Sequence, residues 1–235
     1  EVIEFCKNGI LMLEAVVPDD INRRTIEFID RHPDLHVDRS QTGKREVIAP
    51  IEILQEEWFV NNVVKNPQAA GAVRSLLGKD FKLPTFMSNH RKPCPEKVVC
   101  AWHRDGGGMV THQVHNLQVF YYPQDTPKEM GPTQLIPGSH FIAGSRRFMK
   151  HIGGVQKAVS TASTAGSIFI THYPVLHRKT TATGTGIRNM LKYNYHRRSA
   201  PTRDWVMDPD IDPAALDFRP EVLDGVRVGA LQEIH

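Results

Sequence analysis

Residues 101–108 read Ala101-Trp102-His103-Arg104-Asp105-Gly106-Gly107-Gly108, and they follow the apolar residues Val98-Val99-Cys100. An apolar run that passes through polar residues into three glycines is typical of a buried strand that enters a turn. Successive side chains of a strand point to opposite faces of the sheet. His103 and Asp105 therefore share one face, and Arg104 points to the other face.

A histidine and a carboxylate on the same strand face supply two ligands of an open metal site. A second histidine from elsewhere in the chain would complete the 2-His-1-carboxylate triad of non-haem Fe(II) oxygenases. A His-x-Asp pair alone is a weak signal, because such pairs also occur on surfaces or as a histidine oriented by a carboxylate. The hypothesis therefore requires a second histidine, an anchor for a co-substrate and a barrel that holds them together.

The composition is that of a globular, loop-rich chain. Its 235 residues are 40% hydrophobic and 23% charged, with 17 glycines and 16 prolines, which suits one domain. The net charge of +3 comes from scattered Lys and Arg residues, so we expect no nucleic-acid partner. No apolar run approaches the ~20 residues that a membrane span needs. Cys6, Cys94 and Cys100 form no C-x-x-C pair, so we expect no disulfide framework and a reducing, cytoplasmic location.

Helical signals dominate residues 1–80, and strand signals dominate residues 81–198. After a strand at Ile10 to Leu13, the apolar spacing predicts helices over Pro18 to Arg31, Ile51 to Val64 and Pro67 to Leu77. Short apolar or alternating runs then predict six strands, a spacing typical of a sandwich or barrel: Leu83 to Met87, Val98 to Trp102, Leu117 to Tyr122, Thr133 to Ile136, Ser167 to Thr171 and Ile187 to Tyr195. Residues 199–235 form a tail of unassigned structure. No repeat or linker divides the chain, so we expect residues 1–235 to form a single domain.

Two histidines compete for the third ligand position. His172 and His177 both follow the predicted buried strand 167–171, and Pro174 lies between them. Proline interrupts a strand, so the alternation of side chains does not choose between the two.

The residues downstream favour His177. The Thr/Gly-rich residues 180–186 predict a turn and residues 187–195 a returning strand, and a hairpin of this kind would place Arg188 beside the chain that follows His177. A buried guanidinium binds a carboxylate bidentately. An iron oxygenase that uses 2-oxoglutarate needs such an arginine for the carboxylate that does not chelate the metal.

In this combination the sequence resembles the phytanoyl-CoA dioxygenase family of Fe(II)/2-oxoglutarate oxygenases. The resemblance covers most of the chain and includes Phe5-x-x-Asn8-Gly9, His103-x-Asp105, and His177 with Arg188. Its most specific part is Gly131-Pro132-Thr133-Gln134-Leu135-Ile136-Pro137-Gly138-Ser139-His140, which is similar to the family's Pro-Gly-Ser-His signature. Gly166-Ser167-Ile168-Phe169 is similar to the turn and strand that precede the distal histidine.

The resemblance implies a mainly β fold with flanking helices and a double-stranded β-helix (jelly-roll, cupin-like) core. It implies His103, Asp105 and His177 as the Fe(II) ligands, Arg188 as the anchor of the co-substrate 2-oxoglutarate, and Thr133 as a second co-substrate contact. It further implies an O2-dependent enzyme that hydroxylates an unactivated C–H bond of a small organic or natural-product-like molecule, with release of succinate and CO2.

Other histidines fit the resemblance less well as ligands. His140 belongs to the signature as a structural turn residue, and His172 stands where family members often carry an acidic residue. His112 and His115 are three residues apart and would face opposite sides of a strand, so at most one faces a pocket. The basic residues of 146–151 could meet an anionic group, although a solvated loop is the favoured interpretation of them.

Two other hypotheses stay open on the sequence. A cupin-like metal enzyme of another reaction class, such as an isomerase or a zinc hydrolase, would use the same His and Asp residues but would not need Arg188. A non-catalytic ligand-binding barrel would need neither the intact triad nor the arginine. A homodimer is compatible with the sequence, and no membrane partner is expected.

Overall fold

The computed structural model describes residues 2–31, 51–97, 100–105, 114–142, 148–149 and 153–198. The predicted tail at 199–235, His112 and the basic residues Arg146, Arg147, Lys150 and His151 lie outside these residues.

Helices occupy much of the described N-terminal third. They are Val2–Asn8, Asp19–Asp30, Glu57–Phe59 and Pro67–Leu77, with a 3-10 turn at Ile51–Gln55 and a π-helical turn at Val60–Val64. The predicted helices around 18–31 and 67–77 are therefore confirmed. The prediction of one continuous helix over 51–64 is wrong, because Glu56 has an extended backbone (ψ 110°) that interrupts the helical hydrogen bonds. Among the described residues, no helix is long and apolar enough to cross a bilayer.

Asn66 caps the helix Pro67–Leu77. Its Oδ1 accepts from the backbone N–H groups of Gln68 and Ala69 at 3.1 and 3.3 Å, and its Nδ2 donates to the Val16 carbonyl at 2.9 Å. Because Asn66→Ala removes both the cap and a donor, we expect it to lower the free energy of unfolding by ~1–2 kcal/mol, measured by urea denaturation. Asn66→Asp keeps the acceptor and should lose less. An Asn66→Ala protein as stable as the wild type would contradict this assignment.

The described residues contain twelve strands, which pair in an antiparallel manner. They are β1 Ile10–Leu13, β2 Met87–Asn89, β3 Lys92–Glu96, β4 Trp102–His103, β5 Asn116–Tyr122, β6 Thr133–Leu135, β7 Phe148–Met149, β8 Val159–Ser160, β9 Ser167–His172, β10 His177–Lys179, β11 Ala182–Arg188 and β12 Leu191–His196. The major sheet has the order β1-β9-β5-β12-β2, the minor sheet has the order β7-β4-β10-β6-β8, and β11 pairs with β3. Two facing antiparallel sheets with flanking helices confirm the predicted jelly-roll class.

Strand β5 illustrates how side-chain alternation divides the core. Leu117, Val119 and Tyr121 belong to the cluster that includes the helices, and Tyr121 lies 6.3 Å from Phe59 between ring centroids. Phe120 alternates to the other face of the sheet. There it joins the cluster that fills the space between the sheets, whose other buried members are Tyr122, Leu135, Phe169, Val175 and Met190.

The predicted hairpin around Arg188 is wrong. Residues 182–188 form β11, which pairs with β3, whereas β10 lies in the minor sheet and β12 in the major sheet. Gly184, one of the two glycines that suggested a turn, serves close packing instead, as does Gly131 opposite the strand. A Cβ on Gly184 would lie 3.2 Å from the Glu129 carbonyl oxygen, and one on Gly131 would lie 2.8 Å from the Thr180 carbonyl oxygen. Alternation of β-branched threonine with small residues therefore lets this strand lie against the 128–131 turn.

The other predicted strands differ from the observed strands mainly at their ends. The strands predicted at 117–122, 133–136 and 167–171 are confirmed as β5, β6 and β9. The strand predicted over 83–87 is displaced, since β2 is Met87–Asn89. Of the strand predicted over 98–102, residues 98 and 99 lie outside the described residues, and β4 is the short pair Trp102–His103.

Candidate metal centre

Strands β4 and β10 bring the two histidines of the predicted triad together. His177 lies directly opposite His103 in the antiparallel register, and the two ring centroids are 4.4 Å apart. Asp105 follows β4 by two residues, and its Oδ2 lies 3.6 Å from His177 Nε2. One potential ligand atom from each of the three residues lies within 4.8 Å of the other two. This is the only group of three or more such residues found in the part of the chain that the structure describes.

Backbone carbonyls set which nitrogen of each histidine carries the proton. His103 Nδ1 is 2.9 Å from the Ala101 carbonyl oxygen, and His177 Nδ1 is 3.0 Å from the Val175 carbonyl oxygen. A carbonyl oxygen only accepts hydrogen bonds, so each Nδ1 donates and each Nε2 keeps its lone pair. This is the tautomer that a divalent metal ion binds.

Asp105 is held in its charged form. Burial by itself raises the pKa of this carboxyl, but the adjacent His177 ring and the charge of Lys192 outweigh it, and the pKa lies well below its usual range. Burial, followed by the charge of His177, lowers the pKa of His103 to about 4. At neutral pH the site therefore holds a carboxylate beside a neutral His103, which are the forms needed for metal binding.

Two residues that sequence reasoning missed hold the Asp105 carboxylate. Gln118 Nε2 and Lys192 Nζ each donate to Asp105 Oδ2 at 2.6 Å. Gln118 lies on β5 and Lys192 on β12, and both side chains reach the site from the major sheet. Lys192 lies opposite Phe120 in the register, and the Phe120 ring is 5.8 Å from the His177 ring. The signal in the sequence was a polar residue at an inward position of each strand, Gln118 on β5 and Lys192 on β12.

Arg188 is a buried cation without an acidic partner among the described residues. It is 2% exposed and lies at the end of β11. Its Nη1 donates to the Gly131 carbonyl at 2.6 Å and its Nη2 to the His90 carbonyl at 3.5 Å, and Nε has no hydrogen-bond partner there. A buried charge is costly unless a counter-charge accompanies it. The arrangement suits a bound anion.

Thr133, the second predicted co-substrate contact, lies on β6 near the backbone group to which Arg188 donates. It is buried on β6, two residues after Gly131, which accepts from Arg188. Leu135 lies opposite His177, so Thr133, two residues away on β6, shares the face of His177. The Tyr122 hydroxyl donates to Thr133 Oγ1 at 3.4 Å and lies 2.6 Å from Thr161 Oγ1. Tyr122 and Thr161 thus add hydroxyl groups that the sequence alone did not indicate.

His172 and His140 lie together outside the metal group. Their rings stack with centroids 5.0 Å apart, and His140 Nε2 is 2.8 Å from the Cys6 carbonyl oxygen. His172 follows the inward Thr171 on β9, so alternation turns it toward the other face of the sheet. It is therefore His177, and not His172, that lies beside His103 and Asp105. His115 is exposed and is not part of the group.

The buried pair of His172 and His140 should make the folded protein less stable in acid. Burial, together with the charges of His140 and His115, lowers the pKa of His172 to about 3, and neither of its ring nitrogens has a described hydrogen-bond partner. As the pH falls from about 6.5 to 3, His172 binds a proton in the unfolded chain but not in the folded chain, so the free energy of unfolding falls. We expect the free energy of unfolding to depend less on pH in His172→Phe, measured by urea denaturation with a chelator present. Equal pH slopes in His172→Phe and wild type would contradict the assignment.

The comparisons with known proteins identify the family. A profile of the phytanoyl-CoA dioxygenase (PhyH) family matches residues 5–190. The chain belongs to the phytanoyl-CoA dioxygenase family. No curated protein sequence matches the chain. The enzymes of this family depend on Fe(II), 2-oxoglutarate and O2, which confirms the predicted enzyme class and cofactors.

Solved structures share the fold at low sequence identity. The non-heme monooxygenase ThoJ in complex with nickel is 19% identical, with a TM-score of 0.61 over 86% of this chain and 79% of that chain. HygX from Streptomyces hygroscopicus with nickel and 2-oxoglutarate bound is 12% identical, with a TM-score of 0.62 over 83% and 84%. The epimerase SnoN in complex with Fe3+, alpha ketoglutarate and nogalamycin RO is 18% identical, with a TM-score of 0.64 over 83% and 81%.

Proposed function

We propose that this member of the phytanoyl-CoA dioxygenase family hydroxylates an unactivated C–H bond of a small, natural-product-like molecule and releases succinate and CO2. The observation that carries the proposal is the junction of β4 and β10, where His103, His177 and Asp105 meet. Retention of Asp105 favours hydroxylation over halogenation, because a halogenating relative replaces this carboxylate with a small residue to admit halide.

In this proposal His103, Asp105 and His177 hold the iron. Three features of the site support the assignment. The ligand atoms lie within 4.8 Å of one another, both histidines present the Nε2 lone pair, and Asp105 is held as a carboxylate. These are the donor types of the facial triad, which leaves further positions on the metal open.

Arg188 and Thr133 bind the 2-oxoglutarate carboxylate that lies away from the metal. Arg188 is buried without a described acidic partner, and a guanidinium is suited to bidentate carboxylate binding. Thr133 offers a hydroxyl on the strand that begins two residues after the Arg188 contact at Gly131. The Tyr122 hydroxyl, which donates a hydrogen bond to Thr133, adds a further polar group beside it.

The chain contributes positioning and the exclusion of water. Bound iron, together with 2-oxoglutarate and O2, supplies the oxidising chemistry. Gln118 and Lys192 fix the Asp105 carboxylate, and the backbone carbonyls at Ala101 and Val175 fix the two imidazole rings. The buried side chains of Phe120, Phe169 and Met190 keep the interior apolar, which protects a reactive centre from water.

The substrate class rests on the structural relatives. HygX has been crystallised with hygromycin B and SnoN with nogalamycin RO, so both relatives accommodate complex small molecules. We infer a substrate of similar chemical class for this chain. SnoN is an epimerase, and a test of the reaction must therefore distinguish oxygen insertion from stereochemical inversion.

Succinate formation under oxygen-18 gas tests the proposal. The Fe(II)-loaded protein receives 2-oxoglutarate and a panel of natural products that includes hygromycin B and nogalamycin, and every compound that stimulates succinate formation is analysed by mass spectrometry. We expect a product with one oxygen-18 atom in a new hydroxyl group. A stimulating compound whose product carries no oxygen-18 contradicts hydroxylation. If the Fe(II)-loaded protein forms no succinate, either with any compound of the panel or without added substrate, the result argues against an Fe(II)/2-oxoglutarate oxygenase.

A further inference from the structure

We propose that Lys192 couples metal binding to co-substrate binding: its ammonium group opposes a lone divalent metal ion, and 2-oxoglutarate relieves that opposition. The inference rests on the proposed function of the site. Lys192 lies on β12 in the major sheet, whereas the three proposed ligands belong to β4, β10 and the residues after β4. It therefore enters the centre from the opposite wall of the barrel.

The contact of Lys192 is with the ligand oxygen itself. Its Nζ lies 2.6 Å from Asp105 Oδ2, the same atom that lies 3.6 Å from His177 Nε2. The side chains of Lys192 and Asp105 are 18% and 16% exposed, so water screens this ion pair only in part. A charge near a metal ligand at such burial acts much more strongly than one in bulk solvent.

The described acidic groups do not balance the buried cations and a bound metal ion without a further anion. Lys179, which shares the face of His177 on β10, is paired with Glu96 at 2.6 Å. Arg188 has no acidic partner among the described residues, and Asp105 is the only described acidic partner of Lys192. A divalent cation that shares Asp105 with Lys192 adds positive charge beside an ammonium group whose only described counter-charge is that carboxylate. The dianion 2-oxoglutarate supplies the missing negative charge, so each ligand favours the other.

A purely structural role for Lys192 predicts the opposite result. If Lys192 only held the carboxylate in place, its loss would loosen Asp105 and weaken metal binding. Gln118 offers the matched comparison, because its Nε2 donates to the same oxygen at the same 2.6 Å distance but carries no charge. Loss of Gln118 removes positioning alone, whereas loss of Lys192 removes both positioning and charge.

The test measures nickel affinity by calorimetry at one pH, without and with saturating 2-oxoglutarate, for wild type, Lys192→Met, Lys192→Arg and Gln118→Met. We expect Lys192→Met to bind nickel alone more tightly than wild type, and its enhancement by 2-oxoglutarate to fall roughly fivefold or more. Part of the enhancement remains, because the keto acid chelates the metal directly. Lys192→Arg should keep the coupling, and Gln118→Met should weaken nickel binding equally under both conditions.

Two results overturn the proposal. One is weaker nickel binding by Lys192→Met, as in Gln118→Met, and the other is an enhancement equal to that of wild type. Lys192→Gln is measured in parallel and replaces Lys192→Met if thermal unfolding shows that the methionine variant does not fold. If the wild-type protein binds nickel but no 2-oxoglutarate, the proposed function itself fails, and this outcome is separate from any result with the lysine variants.

Discussion

Asp105→Ala is expected to abolish succinate formation and to lower the affinity for Fe(II) by more than about 100-fold. Loss of a residue that only supports a metal ligand already costs ~10–100-fold, and Asp105 is the proposed ligand itself. The substitution also leaves Lys192 and Gln118 without the oxygen to which both donate. An unopposed ammonium would then face the metal position. Metal content after dialysis and calorimetry with nickel would measure the loss.

Two control variants separate ligand loss from general damage to the fold. Asp105→Asn keeps the size of the side chain and one acceptor oxygen but removes the charge, so we expect metal binding between that of alanine and wild type. Asp125 lies in a loop, where its Oδ1 accepts from the Ala165 backbone N–H at 2.8 Å. Asp125→Ala should therefore retain full metal content. A folded Asp105→Ala protein that holds iron as wild type does would contradict the triad.

Arg188→Ala is expected to weaken 2-oxoglutarate binding by ~1.5–3 kcal/mol, or about 10–150-fold, while nickel alone still binds. The physical reason is the buried guanidinium, whose described hydrogen bonds are to carbonyl oxygens and not to a carboxylate. Calorimetric titration of the nickel-loaded protein with 2-oxoglutarate measures this affinity. The enhancement of metal binding by the co-substrate should fall in parallel.

Arg188→Lys and Arg24→Ala test whether the guanidinium fork is responsible. Lysine keeps the charge but lacks the two parallel donors, so we expect 2-oxoglutarate affinity between those of alanine and wild type. Arg24 lies over the Trp58 ring on the helical side of the molecule, 4.3 Å from its centroid, and its removal should leave the affinity unchanged. A folded Arg188→Ala protein that binds 2-oxoglutarate with wild-type affinity would contradict the proposed role of Arg188.

The sequence was most informative where neighbouring residues determine the geometry. The two-residue spacing of His103 and Asp105 predicts a shared face, and the two side chains indeed approach the same partner, His177. Apolar alternation located β5 and β9 for the same reason, since period-two patterning is local. The family resemblance then supplied the class of fold and the cofactors, both of which the family match confirms.

The structural features that could not be predicted from the sequence depend on contacts between distant segments of the chain. Gln118 and Lys192 reach Asp105 across 13 and 87 residues of sequence, and no local pattern specifies such an approach between two sheets. The Thr/Gly residues of 182–186 carry both turn and strand signals, and their packing against the 128–131 turn decided the outcome. In the same way, the extended backbone at Glu56 could not be inferred from a helical apolar spacing.

The most direct test of the metal centre is an anaerobic titration of the metal-free protein with Fe(II) and then with 2-oxoglutarate, followed by visible absorption. The account predicts a weak metal-to-ligand charge-transfer band in the wild type and in His172→Phe, and no band in His177→Ala. A band that persists in His177→Ala would contradict the assignment of the triad. Iron binding without any band in the wild type would contradict the chelation of 2-oxoglutarate at this centre.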